Sequence, residues 1–409
     1  MKFVKKCLIL GLCIALTGCT NKVNSNGGDN DYSVYVTEEK TSEKVNVTTE
    51  SEIVTEEITA EEKTTEEEKP EVLTDEQRAV EILENMTLEE KVGQMFIARC
   101  PQSNAATLVE QYNLGGYILF ADDFKDKTKD EVIGNISSYQ NASQIPMFIG
   151  VDEEGGTVVR VSRYTAFRSE RFKSPQQLFE EGGMDLIESD AREKSRLLKE
   201  LGINLNFAPV ADLSTDANDF IYDRTFGKDA NETAEYVRSV VKVMNQEQMG
   251  SVLKHFPGYG NNEDTHVGIA YDNRSYESFV TSDFLPFKSG IEEGAGMVMV
   301  AHNIVYSMDG EYPASLSAKV HNILRGDLGF DGVIITDDLS MDGITQYTGD
   351  DQAAVLAVKA GNDLLCCTNF EVQIPAVIEA IRNGEISEEQ LNESVIRILK
   401  LKMKLGIIS

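Results

Sequence analysis

The sequence is poor in basic residues, and this deficit excludes one large class of partners. Of its 409 residues, 38 are lysine or arginine and 69 are aspartate or glutamate, which gives a formal net charge of −31 at pH 7. A protein that binds nucleic acid needs a basic surface to replace the counterions of the phosphates. We therefore expect no nucleic-acid partner. The acidic balance itself indicates solubility and does not indicate a particular fold.

Cysteine is scarce as well, with 6 residues in the whole chain. Removal of the export signal described next would leave Cys19, Cys100, Cys366 and Cys367. Their spacing fits neither a disulfide framework nor a zinc motif. We predict core thiols at the last three positions, no metal site and no organic cofactor.

The N-terminal apolar run, residues 7–16, is too short to cross a bilayer unaided. It follows a lysine-rich start and ends at the sequence LTGC, residues 16–19. A basic start, a short apolar core and a small-residue cleavage site are typical of an export signal. The LTGC sequence resembles the lipobox of bacterial lipoproteins, in which the cysteine is acylated. We predict a signal peptide at 1–18 and lipidation of Cys19. The lipid would anchor the protein to the outer face of the bacterial cell membrane. The alternative is a plain secretory signal without lipidation.

Residues 19–73 differ from the rest of the chain in composition and in hydrophobic pattern. They are mostly Glu, Thr, Ser, Asn and Val, with almost no large apolar side chain and no repeating apolar face. Such a segment cannot bury enough surface to offset the entropy of ordering it. We interpret it as a disordered acidic linker, followed by a folded domain at 74–409.

Short apolar runs alternate with amphipathic stretches along the rest of the chain. The predicted strands are 94–97, 116–119, 147–151, 204–208, 252–254, 297–301, 332–336 and 363–365. Near-continuous apolar runs are typical of parallel strands that are covered on both faces. The clearest helical patterns cover 186–201, 229–249 and 388–405. The alternation favours a single (β/α)8 barrel of the TIM type, although a doubly wound open sheet would fit the same count.

Polar side chains follow several of these strands directly. Asp152, Asp212, His255, His302 and Asp337 each lie at or just after the end of an apolar run. One such residue could be a helix cap. Five together indicate the mouth of a barrel, where the carboxyl ends of the strands meet and active sites lie.

Five segments, taken in order, resemble the NagZ-type β-N-acetylglucosaminidases of glycoside hydrolase family 3. They are VDEEGGTVVR at 151–160, NFAPVAD at 206–212, DRTFG at 223–227, KHFPG at 254–258 with DTH at 264–266, and TDDLSM at 336–341. The resemblance implies an exo-acting retaining enzyme that hydrolyses terminal β-linked GlcNAc from peptidoglycan fragments or related glycans. We expect a monomer that acts on a small carbohydrate.

The resemblance also implies roles for individual residues. Asp337 would be the nucleophile that forms a covalent intermediate, and Asp338 its structural neighbour. His266 would be the general acid/base, since imidazole titrates near neutrality, and Asp264 would orient it. The residues that would hold the sugar are Asp152, Arg160, Arg224, Lys254, His255 and His302. We interpret His321, within a predicted helix at 317–326, as structural.

Two departures and three alternatives remain. Tyr259 stands where the family's loop usually has histidine, and the segment up to Asp264 is about one residue shorter than in one common family form. A β-glucosidase or xylosidase of the same family is one alternative, but those enzymes take their acid/base carboxylate from a second domain, and we expect only about one helix after residue 384. The others are a glycoside phosphorylase and a non-catalytic surface sugar-binding lipoprotein.

Overall fold

The computed structural model describes residues 73–262, 268–367 and 369–408. The predicted signal peptide, the lipidation site Cys19 and the predicted linker up to residue 72 lie outside the described residues, as do Asp264 and His266. None of the described helices is long and apolar enough to cross a membrane.

Eight parallel strands form one sheet that closes on itself. In chain order, the ten strands are β1 (Phe96–Arg99), β2 (Gly116–Leu119), β3 (Phe148–Val151), β4 (Leu205–Asn206), β5 (Gly250–Phe256), β6 (Tyr271–Asp272), β7 (Met297–Val300), β8 (Ile304–Val305), β9 (Val333–Thr336) and β10 (Leu365–Cys367). The sheet order is β10-β1-β2-β3-β4-β5-β7-β9. Leu364 N donates to Ile334 O at 3.0 Å and Thr336 N donates to Leu364 O at 3.2 Å, which joins the two outer strands. The predicted barrel is confirmed.

The strand boundaries differ from the prediction by a few residues. β4 is shorter than the predicted 204–208. Pro209 has no N–H to donate, and the chain beyond it returns to β5 through a single bridge between Val210 and Lys254. β5 is longer than the predicted 252–254. All residues of β2, β3, β7 and β9 are buried, which explains why their sequences are continuous apolar runs.

Helices connect the strands and cover the barrel. They are α1 (Asp75–Glu84), α2 (Leu88–Gln94), α3 (Ala105–Tyr112), α4 (Ala121–Phe124), α5 (Lys129–Ala142), α6 (Pro175–Glu200), α7 (Ala230–Gln246), α8 (Tyr276–Ser278), α9 (Phe284–Glu292), α10 (Ala318–Asn322), α11 (Asp342–Thr345), α12 (Asp350–Ala360), α13 (Phe370–Arg382) and α14 (Glu388–Lys404). Short 3-10 turns span Tyr222–Arg224 and Ala314–Leu316, and π-helical turns span Phe279–Asp283 and Ile323–Asp327. The predicted helix 317–326 is thus divided between α10 and a π-helical turn.

Helix α6 begins well before the predicted residue 186. Ser174 caps it, with a reciprocal contact to Gln177, and Pro175 occupies the first turn. Gly183 interrupts the helical backbone with φ 64° and ψ −156°. The apolar periodicity is therefore continuous only after this kink, which is where the sequence pattern placed the start.

Two of the ten strands belong to a separate two-stranded ribbon. β6 follows the carboxyl end of β5 and β8 follows that of β7, and they pair in parallel with Tyr271 opposite Ile304 and Asp272 opposite Val305. Strands of two residues leave no periodic pattern, so the sequence did not predict this ribbon.

Candidate active site

A cavity of ≈ 610 Å³ opens at the carboxyl ends of the barrel strands. Its walls include six of the predicted site residues, namely Asp152, Arg160, Arg224, Lys254, His255 and Asp337. A different cavity of ≈ 420 Å³ is lined by Gln94, Asn113 and Ile145, which precede β1, β2 and β3, so it lies at the amino ends of these strands. It contains none of the predicted residues. Active sites of (β/α)8 barrels lie at the carboxyl ends, which favours the larger cavity.

A buried cluster of charges lies in the wall of this cavity. Lys254 Nζ is 2.7 Å from Asp152 Oδ1 and 2.6 Å from Glu154 Oε1. Arg224 donates two hydrogen bonds to the same glutamate, from Nε to Oε2 at 3.0 Å and from Nη2 to Oε1 at 2.8 Å. Glu154 therefore fixes two cations of the cavity at once. The sequence places it in the 151–160 segment, but only the fold reveals this role.

The electrostatics of the cluster favour its charged form. Burial alone would raise the pKa of Glu154, but the charges of Arg224 and Lys254 outweigh it and hold that pKa well below its usual range. Burial would lower the pKa of Arg224, and the Glu154 carboxylate outweighs this effect and raises it. Glu154 is thus a carboxylate and Arg224 a cation at neutral pH, and both are rigidly paired.

His255 is oriented by Asp212, which follows β4. The His255 Nδ1 atom lies 2.7 Å from Asp212 Oδ2, and the same oxygen accepts the His255 backbone N–H at 2.9 Å. The other oxygen, Oδ1, accepts from Tyr259 N at 2.8 Å. Donation from Nδ1 to the carboxylate leaves Nε2 as an acceptor, and Nε2 faces Arg224 Nη2 at 3.3 Å. The sequence indicated Asp212 as a strand-end residue without showing this partner.

Asp337 lies directly after β9, where the backbone of the barrel fixes it. Its N–H donates to Val300 O on β7 at 3.0 Å, and its Oδ1 accepts from Asp338 N at 2.9 Å. Asp338 in turn accepts from Ser340 N at 2.8 Å through Oδ1. Asp337 borders the same cavity as Asp152 and Lys254. A carboxylate that borders a sugar-binding cavity can act as a nucleophile.

Residues 87–401, which include all the barrel strands and this cavity, match the glycosyl hydrolase family 3 N terminal domain. The chain belongs to glycosyl hydrolase family 3. The segments 151–160 and 254–258, which carried the resemblance in the sequence, lie in the cavity wall of the family 3 barrel.

Individual family 3 relatives are similar over most of the barrel. Beta-hexosaminidase A of Pseudoalteromonas piscicida is 30% identical over 326 residues, which are 73% of this chain and 54% of that protein, so the chain spans about half of this relative's length. Beta-hexosaminidase LpqI of Mycobacterium tuberculosis is 31% identical over 327 residues, covering 76% of this chain and 82% of LpqI. The structure of a family 3 beta-N-acetylglucosaminidase from Paenibacillus sp. str. FPU-7 superimposes with a TM-score of 0.73 at 30% identity, covering 79% of this chain and 63% of that one.

Arg160 offers a donor to this family 3 cavity. Its Nη2 atom lies 4.0 Å from Asp152 Oδ2, and its buried Nε has no hydrogen-bond partner among the described residues. The loop that carries it is shaped by the fully buried Glu153, whose Oε2 accepts the N–H groups of Arg160 and Val161, each at 2.8 Å. An unpaired buried donor of this kind is rare in native proteins.

His302 is not among the residues that line the cavity. The residue is fully buried behind the cavity wall, with Nε2 3.0 Å from Asp338 O and Nδ1 2.7 Å from Ser315 Oγ. Both ring nitrogens thus have protein groups within hydrogen-bond distance, and the assignment of His302 to sugar binding stays a prediction. His321 is likewise buried, its Nδ1 lies 2.8 Å from Ser317 O, and burial lowers its pKa.

Further residues were not predicted to line the cavity, among them Arg99, Phe120, Phe220 and Cys366. Arg99 lies with its guanidinium 4.4 Å from the centroid of the Phe120 ring. Cys100 and Cys366 are buried, and burial raises the pKa of Cys100 to about 12. Among the described residues, no group of three or more His, Cys, Asp or Glu side chains is arranged to hold a metal ion. The predicted dyad Asp264 and His266 lies outside the described ranges and stays a prediction.

Proposed function

We propose that this chain is an exported, lipid-anchored β-N-acetylhexosaminidase that hydrolyses terminal β-linked GlcNAc with retention of configuration. The observation that carries the proposal is the convergence of Asp337, Asp152 and Lys254 on one cavity at the carboxyl ends of the strands. The names of the relatives support the substrate class, since two are beta-hexosaminidases and the Paenibacillus structure is a beta-N-acetylglucosaminidase.

The first step needs a nucleophile and a proton donor on opposite sides of the scissile bond. Asp337 attacks the anomeric carbon and forms the glycosyl ester, while the leaving oxygen takes a proton. We assign that proton to His266, oriented by Asp264, on the resemblance of the sequence DTH at 264–266. In the second step the imidazole removes a proton from water, which attacks the ester and releases the sugar.

The charged cluster accounts for sugar binding. Asp152 accepts from ring hydroxyls, while Lys254 and Arg224 donate to hydroxyl or amide oxygens. Glu154 and Asp152 hold Lys254 in place before substrate arrives, so the site spends little free energy on ordering it. Arg160, which also lines the cavity, adds a further guanidinium group.

Aryl β-glycosides that differ only at the 2-position test the proposal. We expect release of the aryl group from the GlcNAc derivative to exceed that from the glucose derivative by orders of magnitude. Equal or preferred hydrolysis of the glucoside would favour the β-glucosidase alternative. Dependence of release on inorganic phosphate would favour phosphorolysis, and no release from either would favour a sugar-binding protein.

The export proposal has a separate test in the full-length chain. Expressed in a bacterium with its own signal, the protein should fractionate with membranes and be extracted by detergent. Cys19→Ala should release it from the membrane fraction without loss of aryl-glycosidase activity, since residue 19 precedes the barrel. A protein that remains soluble with Cys19 intact would contradict the anchor.

A further inference from the structure

The exposed aromatic side chains of the described residues are confined to one end of the barrel. They are Phe220, Tyr271 and Tyr306, with exposed fractions of 42%, 50% and 52%. Phe220 lies in the segment after β4, Tyr271 after β5 and Tyr306 after β7. All three thus follow the carboxyl ends of barrel strands, which is where the active-site cavity opens.

Two of these rings form a stacked pair. The centroids of Tyr271 and Tyr306 are 5.9 Å apart and their planes differ by 16°. The ribbon of β6 and β8 carries them, and Tyr306 N donates to Asp272 O at 3.0 Å while Ile304 N donates to Ala270 O at 2.8 Å. Asp272, Ile304 and Val305 are buried, so the tyrosines project from a packed base.

Asp272 anchors this ribbon to the end of β5. Its carboxylate accepts from Arg274 Nε and Nη2, and from Asn262 Nδ2 at 2.7 Å. Arg274 also donates to Gly258 O at 2.9 Å and to Asp283 Oδ1 at 2.8 Å. The tyrosine pair is therefore held by a network of charge-assisted bonds before any ligand arrives.

The same network reaches the cavity through Tyr259, the residue that departs from the family pattern. Asn262 Nδ2 also donates to Tyr259 O at 2.9 Å. The Tyr259 ring lies edge-on to His255 with centroids 5.2 Å apart, and 6.1 Å from the ring of Phe220. His255 and Phe220 both line the cavity. Protein contacts are thus continuous from the cavity wall to the tyrosine pair.

The chemistry of the pair fits a sugar ring better than a protein surface. A pyranose presents a face of C–H groups that packs on an aromatic ring, while its hydroxyl edge stays in water, and a half-exposed tyrosine provides both surroundings. Stable protein interfaces bury on the order of 800 Å² on each partner, far more than two half-exposed rings supply. Because tyrosine has few rotatable bonds, binding a sugar here costs little conformational entropy.

We infer that the Tyr271 and Tyr306 pair is an aglycone subsite that binds the second or a later pyranose unit beyond the bond being cleaved in a β-linked glycan. The inference rests on the proposed function, because an aglycone exists only if the cavity takes the terminal sugar. It makes oligosaccharides, and not disaccharides alone, the substrate class of this enzyme.

Chito-oligosaccharides from dimer to hexamer test the subsite. The measure is the ratio of kcat/KM for a longer oligomer to kcat/KM for the dimer, so that a general loss of activity cancels. We expect this ratio to rise with length in the unmodified protein and to fall about two- to tenfold in Tyr306→Ala and in Tyr271→Ala, which is the range of one aromatic contact. Tyr306→Phe, which keeps the ring, should retain the ratio.

Val372→Ala is the matched control, because Val372 is 53% exposed on the outer helix α13. It should leave the ratio unchanged. A binding measurement adds a readout without turnover: in an Asp337→Asn background, calorimetry should show weaker binding of the tetramer when Tyr306→Ala is added.

The outcomes separate the two proposals. An unmodified protein without activity on aryl β-GlcNAc would overturn the proposed function and the subsite together. Normal aryl activity with a length ratio that Tyr306→Ala and Tyr271→Ala leave unchanged would overturn the subsite alone. An affinity for the tetramer that neither substitution changes would also overturn the subsite alone.

Discussion

Lys254 Nζ lies 2.6 Å from Glu154 Oε1, and the two side chains are only 2% and 3% exposed. The glutamate thus balances a lysine and an arginine that both border the cavity. Glu154→Gln would leave these two buried cations with too little negative charge. We expect the free energy of unfolding to fall by about 3–5 kcal/mol. Misplacement of Lys254 and Arg224 should lower kcat/KM on aryl β-GlcNAc by about 10²-fold. Denaturant titration and steady-state kinetics check both effects.

The surface pair of Arg168 and Glu193 is the matched control, because it has the same two-bond geometry but its glutamate side chain is 56% exposed. Glu193→Gln should change the free energy of unfolding by at most about 1 kcal/mol.

The pH dependence of stability provides a second test of Glu154. Because the pKa of Glu154 is lowered in the folded state, its contribution is present above the unfolded pKa of about 4.3 and is lost as pH falls below it. A stability difference between the unmodified protein and Glu154→Gln that stayed constant from pH 7 to pH 3 would contradict this account.

Asp212→Asn should destabilise the fold through two backbone groups. Asp212 Oδ2 accepts the His255 N–H and Oδ1 accepts the Tyr259 N–H. An asparagine has one oxygen, so its amide group must face one of these donors. The buried N–H left without an acceptor costs about 1–3 kcal/mol, measurable as a lower midpoint in denaturant. Because His255 would lose its orientation, we also expect a higher KM. Equal stability of the variant would show that these contacts do not matter.

Asp337→Asn tests the assignment of the nucleophile. The substitution keeps the size of the side chain and its acceptor for the Asp338 N–H, so the protein should fold normally. An amide does not attack the anomeric carbon, and turnover of aryl β-GlcNAc should fall by several orders of magnitude. Circular dichroism and thermal unfolding serve as the controls for folding. Residual activity within tenfold of the unmodified protein would remove Asp337 from this role.

His266→Ala tests the general acid/base. Loss of such a group typically lowers the rate by about 10² to 10⁴-fold. The loss in the first step should be smaller for a dinitrophenyl leaving group than for a methylumbelliferyl one, because the former needs little protonation. Stopped-flow measurement of the first turnover checks this. A loss that is equal for both leaving groups would argue that His266 does not donate the proton.

The sequence predicts the barrel because strands buried on both faces are continuous apolar runs. Asp152, Lys254 and Asp337 come at the ends of such runs, so the sequence also predicts that they lie at strand ends. Arg160 and Arg224 lie in loops, where only the resemblance to a family identifies them. The partnership of Glu154 with Arg224 joins residues 70 positions apart, and no local pattern encodes it. The sequence could not predict that His302 is absent from the cavity lining, because a position at a strand end does not determine the direction of the side chain.

Lys402 is a buried titratable group remote from the proposed chemistry. The residue is fully buried in α14, its Nζ donates to Gln94 Oε1 at 2.7 Å and lies 5.1 Å from the centroid of the Phe148 ring. Burial lowers the pKa of Lys402 to about 7. Between that value and the unfolded pKa of about 10.4, the unfolded chain binds one more proton than the folded one. The contribution of Lys402 to stability therefore rises with pH through this window and is least favourable below pH 7.

Lys402→Met removes this titration. The free energy of unfolding should be measured for both proteins from pH 6.5 to pH 9. Above pH 7, the value for the unmodified protein should rise relative to that of the variant by up to about 1.4 kcal/mol for each pH unit. The loss of a partner for Gln94 adds a cost of about 1–3 kcal/mol to the variant, but this cost is independent of pH and does not change the slope. Lys400→Met, at a side chain that is 46% exposed, is the control and should run parallel to the unmodified protein in the same window. If the free energy of unfolding of Lys402→Met changed with pH in the same way as that of the unmodified protein, Lys402 would have an ordinary pKa. Water would then reach the interior beside Phe148.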